Sequence, residues 1–107
     1  MEIEKIEKKD RYVEKDMYVI VCTIRKVGFE TQHGEWNEKS LKDWFGDFLI
    51  EVKKNENLRV QTIRHERLIE EGIFDLDVTT TYNNPLHVIS DINRMYPFLK
   101  IELQIRY

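Results

Sequence analysis

The chain has 107 residues, 41% of them hydrophobic and 35% charged, with a net charge of −3. That is one domain's length with enough apolar mass for a single core, and the acidic balance speaks against a dedicated nucleic-acid binder, which carries a basic excess or patch. Cys22 is the only cysteine, so no intramolecular disulfide or thiolate metal cluster can form; Met1-Glu2-Ile3-Glu4 opens no apolar leader and no stretch is long enough to span a membrane, which makes a cytoplasmic location the expectation.

Residues 1–16 scatter Ile3, Ile6, Tyr12 and Val13 among Glu and Lys, and fit either a strand leading into the next one or a short charged helix. Met17 to Val27 is a predicted strand. Its segment Tyr18 to Ile24 is apolar on both faces, which places it centrally in a sheet. Gly28 to Trp36, with His33 and Gly34, reads as a connecting loop. Asn37 or Ser40 then caps a long helix. In it Leu41, Trp44, Phe45, Phe48, Leu49 and Val52 recur at helical spacing as one apolar stripe. Gly46 interrupts this helix and would allow a close approach to the sheet.

After Asn55-Glu56-Asn57, the stretch Leu58 to Ile69 reads as a strand with Leu58, Val60 and Thr62 on one face. Ile63 and Leu68 break the alternation, as a bulge would. Glu70-Glu71-Gly72 is a turn signal that makes 58–82 a hairpin. From Phe74 to Tyr82, apolar and β-branched residues alternate with Asp75, Asp77, Thr79 and Thr81, the pattern of a half-buried strand. Asn84 caps the next helix and Pro85 suits its first position. Leu86, Ile89, Ile92, Met95 and Tyr96 follow helical spacing until Pro97 stops the run. The closing strand sets Ile101, Leu103, Ile105 and Tyr107 against Lys100, Glu102, Gln104 and Arg106. The order (β)β-α-β-β-α-β describes a single α+β domain of the ferredoxin-like kind, a mainly antiparallel sheet with two helices on one face.

Thr81-Tyr82-Asn83-Asn84-Pro85, Val88-Ile89, Tyr96-Pro97 and the tail Ile101 to Tyr107 resemble the C-terminal part of a ferredoxin-like domain family of unknown function carried by phages and conjugative plasmids. The resemblance covers residues 79–107. It implies the fold and a mobile-element origin; the family has no established catalytic residues to carry over.

Candidate chemistry is sparse. Asp75, Asp77 and Glu102 project from the helix-free face, where carboxylates can bind a metal or work as acid and base, or can simply be neutralised by Arg59, Arg64, Lys100 or Arg106. Arg64-His65-Glu66-Arg67 with Glu70 and Glu71 form a charged cluster near the hairpin tip, suited to binding a protein. His65-Glu66 begins like a zinc-protease pair, but position 69 is Ile and the element is a strand. Trp36 can serve as an exposed anchor or cap the core. His33, His65 and His87 have no metal-ligand spacing, and Cys22 lies in the most apolar strand, where a thiol is inert packing. The predicted open face carries no aromatic on which RNA bases could stack.

The expectation is a cytoplasmic, non-enzymatic accessory protein of phage or plasmid type, with no metal and no cofactor. It would act by binding a protein, such as a nucleic-acid-processing enzyme; an inhibitor of a host defence nuclease, as anti-CRISPR proteins are, is one subclass. The alternatives are an oligomeric ligand-binding or enzymatic ferredoxin-like domain and a toxin-neutralising immunity protein.

Overall fold

Met17–Ile24 forms strand β1, an eight-residue run in which Tyr18, Ile20, Cys22 and Ile24 point to one face and are buried. The computed structural model describes residues 17–82 and 84–106. The expectation for residues 1–16 lies outside them. Strands β2 (Leu58–Arg64), β3 (Ile73–Thr80) and β4 (Leu99–Arg106) join β1 in a four-stranded sheet of order β2-β3-β1-β4. Every neighbouring pair is antiparallel. β1 is central, as its two apolar faces require, and β1 and β2 run parallel to each other with β3 between them.

The helical segments are α1 (Lys26–His33), α2 (Glu38–Lys53), α3 (Leu68–Glu71) and α4 (Leu86–Met95). Side chains of α1, α2 and α4 join the β1 and β3 side chains in one core, so these helices cover a single face of the sheet. The stripe read for α2 is the main packing surface. Leu41, Trp44, Phe45, Phe48 and Val52 are buried, and Phe45 and Phe48 meet Phe74 of β3 at ring distances of 4.9 and 5.0 Å. Burying a side chain of this size stabilises the fold by about 1.5–3 kcal/mol. Asn37 caps α2, its Oδ1 accepting from the Ser40 N–H at 2.9 Å; at α4 the cap position falls to Pro85 rather than to the expected Asn84, whose Oδ1 accepts from the Leu86 N–H at 3.0 Å.

Several expectations are corrected. The loop expected from Gly28 to Trp36 is largely α1, and β1 ends at Ile24 rather than Val27. A Cβ on Gly28 would meet Phe98 Cβ at 2.7 Å, so this glycine lets α1 lie against the turn before β4, with Phe29 wholly buried beside it. Gly46, by contrast, has no atom within 4 Å of the place a Cβ would take; it faces open space and allows no close approach. In α4 the buried positions are Val88 and Ile92. Leu86 points about 160° away from Val88 at 3.6 residues per turn, and Met95 is in phase but lies in the last turn; both are exposed.

The strand expected to reach Ile69 stops at Arg64 and is followed by the single turn of α3, which closes at Gly72 in the left-handed region, φ +68°. The register shifts between Val60 and Thr62, where a bulge absorbs Gln61. Thr62 therefore lies opposite Asp77 on the helix-free face, away from Leu58 and Val60, while Ile63 joins the core side opposite Leu76.

Candidate functional site

The bulge decides what the helix-free face presents. Were Gln61 paired in regular alternation, Arg64 would stay in phase with Leu58 and Val60; with Gln61 bulged out, Arg64 lies opposite Asp75 on the same face as both aspartates. Its guanidinium then spans them. Nε donates to Asp75 Oδ1 at 2.9 Å, Nη1 donates to Asp77 Oδ2 at 2.9 Å, and Nη2 donates to Asp77 Oδ1. The fork is bidentate on Asp77, the stronger geometry for an arginine–carboxylate pair. Asp77 is the best covered of the three, with 13% of its side chain exposed against 29% for Asp75 and 32% for Arg64. The two hydrogen-bonded aspartates hold the Arg64 charge in place and raise its pKa further. Carboxylates engaged this way are poorly placed to take a metal or shuttle a proton.

Beyond the strand the chain turns through His65-Glu66-Arg67 into α3. The Leu68 N–H donates to the His65 carbonyl at 3.1 Å, and the Gly72 N–H to the Leu68 carbonyl at 2.9 Å. Arg67 Nε and Nη2 donate to the two Glu71 oxygens, each at 3.0 Å. The Arg67 hydrogen bond lowers the Glu71 carboxyl below its ordinary range. Glu66 and Glu70 are exposed. The His65 ring packs 5.4 Å from Phe45, so it leans on α2. A cleft of about 370 Å³ opens beside Arg64, Glu66, Arg67, Ile73 and Asp75, reaching Gln104 on β4.

The remaining predicted residues lie apart. Glu102 is exposed on β4. It flanks Val21 from the side opposite Asp75, roughly 9.6 Å away at two strand spacings. Val19 and Thr79 on this helix-free face are themselves buried, so the face is not open along its whole extent. Trp36 is half-buried and caps the core. Its ring would be struck by a Cβ on Gly72 and meets Phe29 edge-on at 5.7 Å, and the Trp36 backbone N–H donates to Glu30 Oε2 at 3.0 Å. His33 closes α1 with its ring 5.3 Å from Phe29, and His87 lies against Tyr82 at 5.4 Å. Cys22 is fully buried. Burial first, and the Asp75 charge second, push its thiol from 9.0 to about 12. Among the described residues no three His, Cys, Asp or Glu side chains are grouped to hold a metal, and no helix is long and apolar enough to cross a membrane.

Fold and site together define a small α+β domain with a clamped, mixed-charge hairpin tip. No protein-family model matches the chain, and no curated protein matches it. A crystal structure of an unknown protein from Galdieria sulphuraria is similar to it, with 15% sequence identity and a TM-score of 0.49. The match covers 89% of this chain and 46% of that one, so the chain spans under half the length of that protein.

Proposed function

We propose that the chain is a ferredoxin-like binding domain that works by engaging a protein partner through the tip of the β2–β3 hairpin, as a phage- or plasmid-type accessory protein would. The strand order β2-β3-β1-β4, with β3 antiparallel between β1 and β2, supports the ferredoxin-like plan. The resemblance of residues 79–107 supports the mobile-element origin. One observation carries the binding reading. Arg64 ties up both aspartates of the helix-free face, which leaves a rigid charged platform flanked by exposed Glu66 and Glu70. Such a platform favours a partner of opposite local charge and sets on-rate and register more than raw affinity. An inhibitor of a host defence nuclease and an immunity protein that neutralises a toxin are two forms this activity takes.

A tagged chain exposed to bacterial lysate at low and high salt tests the reading. A stoichiometric protein held by the wild type, weakened by salt and lost on Glu66→Lys/Glu70→Lys, is the expected result; the same capture by both chains would overturn it. A second reading rests on β4, which among the described residues has a strand partner on one side only. An unpaired eight-residue edge can pair with a second copy, and a native mass spectrum showing only monomer would reject that.

A further inference from the structure

The helix layer holds a second cleft, of about 460 Å³, where the end of α1, the middle of α2 and the end of α4 meet. Three rings build it. Tyr96 stands edge-on to Trp44 with centroids 5.4 Å apart, and His33 lies 6.5 Å from Trp44. Ile50 and Met95 also line it, at 58% and 44% exposure, two of the four large hydrophobic side chains left exposed among the described residues. Single exposed apolar residues are ordinary, whereas two beside aromatic rings in one cavity mark a contact site.

Charge gives the cleft its selectivity. Asp47 and Glu51, one turn apart on α2, line it, and among the described residues no lysine or arginine does. Glu51 meets Lys54 at 3.2 Å in an exposed pair that solvent screens. Burial, followed by the Glu51 and Asp47 charges, raises the pKa of the Tyr96 hydroxyl, so the negative potential reaches the ring. The buried Trp44 Nε1–H has no hydrogen-bond partner, alone in that among buried side-chain polar atoms of the described residues.

An apolar slot with ring walls and two carboxylates is complementary to an alkyl stem that ends in a cation, as in lysine and arginine. A peptide also brings flanking residues to cover Ile50 and Met95, both exposed, whereas an alkylammonium ion brings a stem alone. We propose that this cleft binds a basic segment of a partner protein, seating a lysine or arginine side chain with its stem along Ile50 and Met95 and its charge between Asp47 and Glu51. The site is independent of the hairpin tip, since the two clefts share no lining residue.

The test is a titration of the ¹⁵N-labelled chain with blocked tripeptides, acetyl-Ala-X-Ala-amide, where X is lysine, arginine or norleucine, and with n-butylammonium. The Trp44 indole resonance, assigned through Trp36→Phe, and the amides of Asp47, Glu51 and Met95 are the reporters. The expected result is saturable shifts with a basic tripeptide at least about fivefold tighter than norleucine, the scale of a solvent-screened ion pair. That preference should vanish in folded Asp47→Asn/Glu51→Gln. Absence of saturable shifts, equal binding of norleucine, or a preference that survives the double substitution would overturn the proposal. Butylammonium binding as tightly as the peptides would overturn the peptide as occupant in favour of a free amine.

Discussion

Replacing Gly28 and Gly46 with alanine should change stability in opposite directions, although both glycines lie inside helices. Alanine gains about 1 kcal/mol over glycine from helix propensity alone. At Gly46 nothing opposes that gain, because no atom lies within 4 Å of the new Cβ. At Gly28 the new Cβ would sit 2.7 Å from Phe98 Cβ, well inside ordinary contact. Phe98 cannot swing aside, since its Cβ is fixed to the backbone and its carbonyl accepts the Arg25 N–H at 2.9 Å. Helix α1 or the turn before β4 must move, and overpacking of this kind costs about 1–3 kcal/mol. The net expectation is a loss of about 1 kcal/mol for Gly28→Ala and a gain of up to about 1 kcal/mol for Gly46→Ala. At this chain length each kilocalorie shifts Tm by roughly 4 °C. Urea unfolding followed by the fluorescence of Trp36 and Trp44, with thermal melts by circular dichroism, reads both. Gly28→Ala as stable as Gly46→Ala would refute the claim that α1 is a helix pressed against Phe98.

Three further outcomes are expected. Arg64→Ala should destabilise the chain by leaving the Asp75 and Asp77 charges facing each other. Adding Asp77→Asn should restore part of the loss in a double-mutant cycle followed by urea unfolding; strictly additive losses would remove the clamp from the account. Deleting Gln61 should leave Ile63 and Arg64 on their present faces, because it takes out only the bulged residue. A cooperative melt is therefore expected, and an unfolded variant would contradict the register. The Cys22 thiol should resist maleimide at pH 8 in the native chain and react in urea. Because the folded thiol holds its proton to about 12 while the unfolded one releases it nearer 9.0, the unfolded state loses the proton first. Stability should fall as pH rises across that interval, by up to about 1.4 kcal/mol per unit. Cys22→Ala should flatten that slope, and an unchanged slope would refute the assignment.

The elements legible in the sequence are those in which a local period and a burial pattern agree. The two apolar faces of Tyr18 to Ile24 anticipated a central strand, and the stripe from Leu41 to Val52, with Asn37 or Ser40 as its cap, anticipated α2; the cap is Asn37. Helix α1 was hidden because it has none of those marks. Arg25 offers no capping side chain, Gly28 weakens the helix locally, and Phe29 is its single buried residue. What holds it is contact with Phe98, far along the chain. The break at Ile63 signalled a bulge, but its consequence was not legible, because the phase after a bulge depends on which residue is absorbed. That one choice carries Arg64 to the aspartate face and turns two of the three candidate carboxylates into a clamp. The Trp44 cleft was missed for a related reason. Its carboxylates, Trp44 and Ile50 come from a helix whose stripe marks the core, and its other wall, Met95 included, comes from α1 and the end of α4.

The hairpin tip is proposed here as the contact surface for a protein partner. Amide hydrogen exchange of the chain, alone and with its captured partner, tests it most directly. Slowed exchange through residues 64–72 and the start of β3 is expected in the complex. A partner bound at full stoichiometry with exchange in that segment unchanged would contradict it.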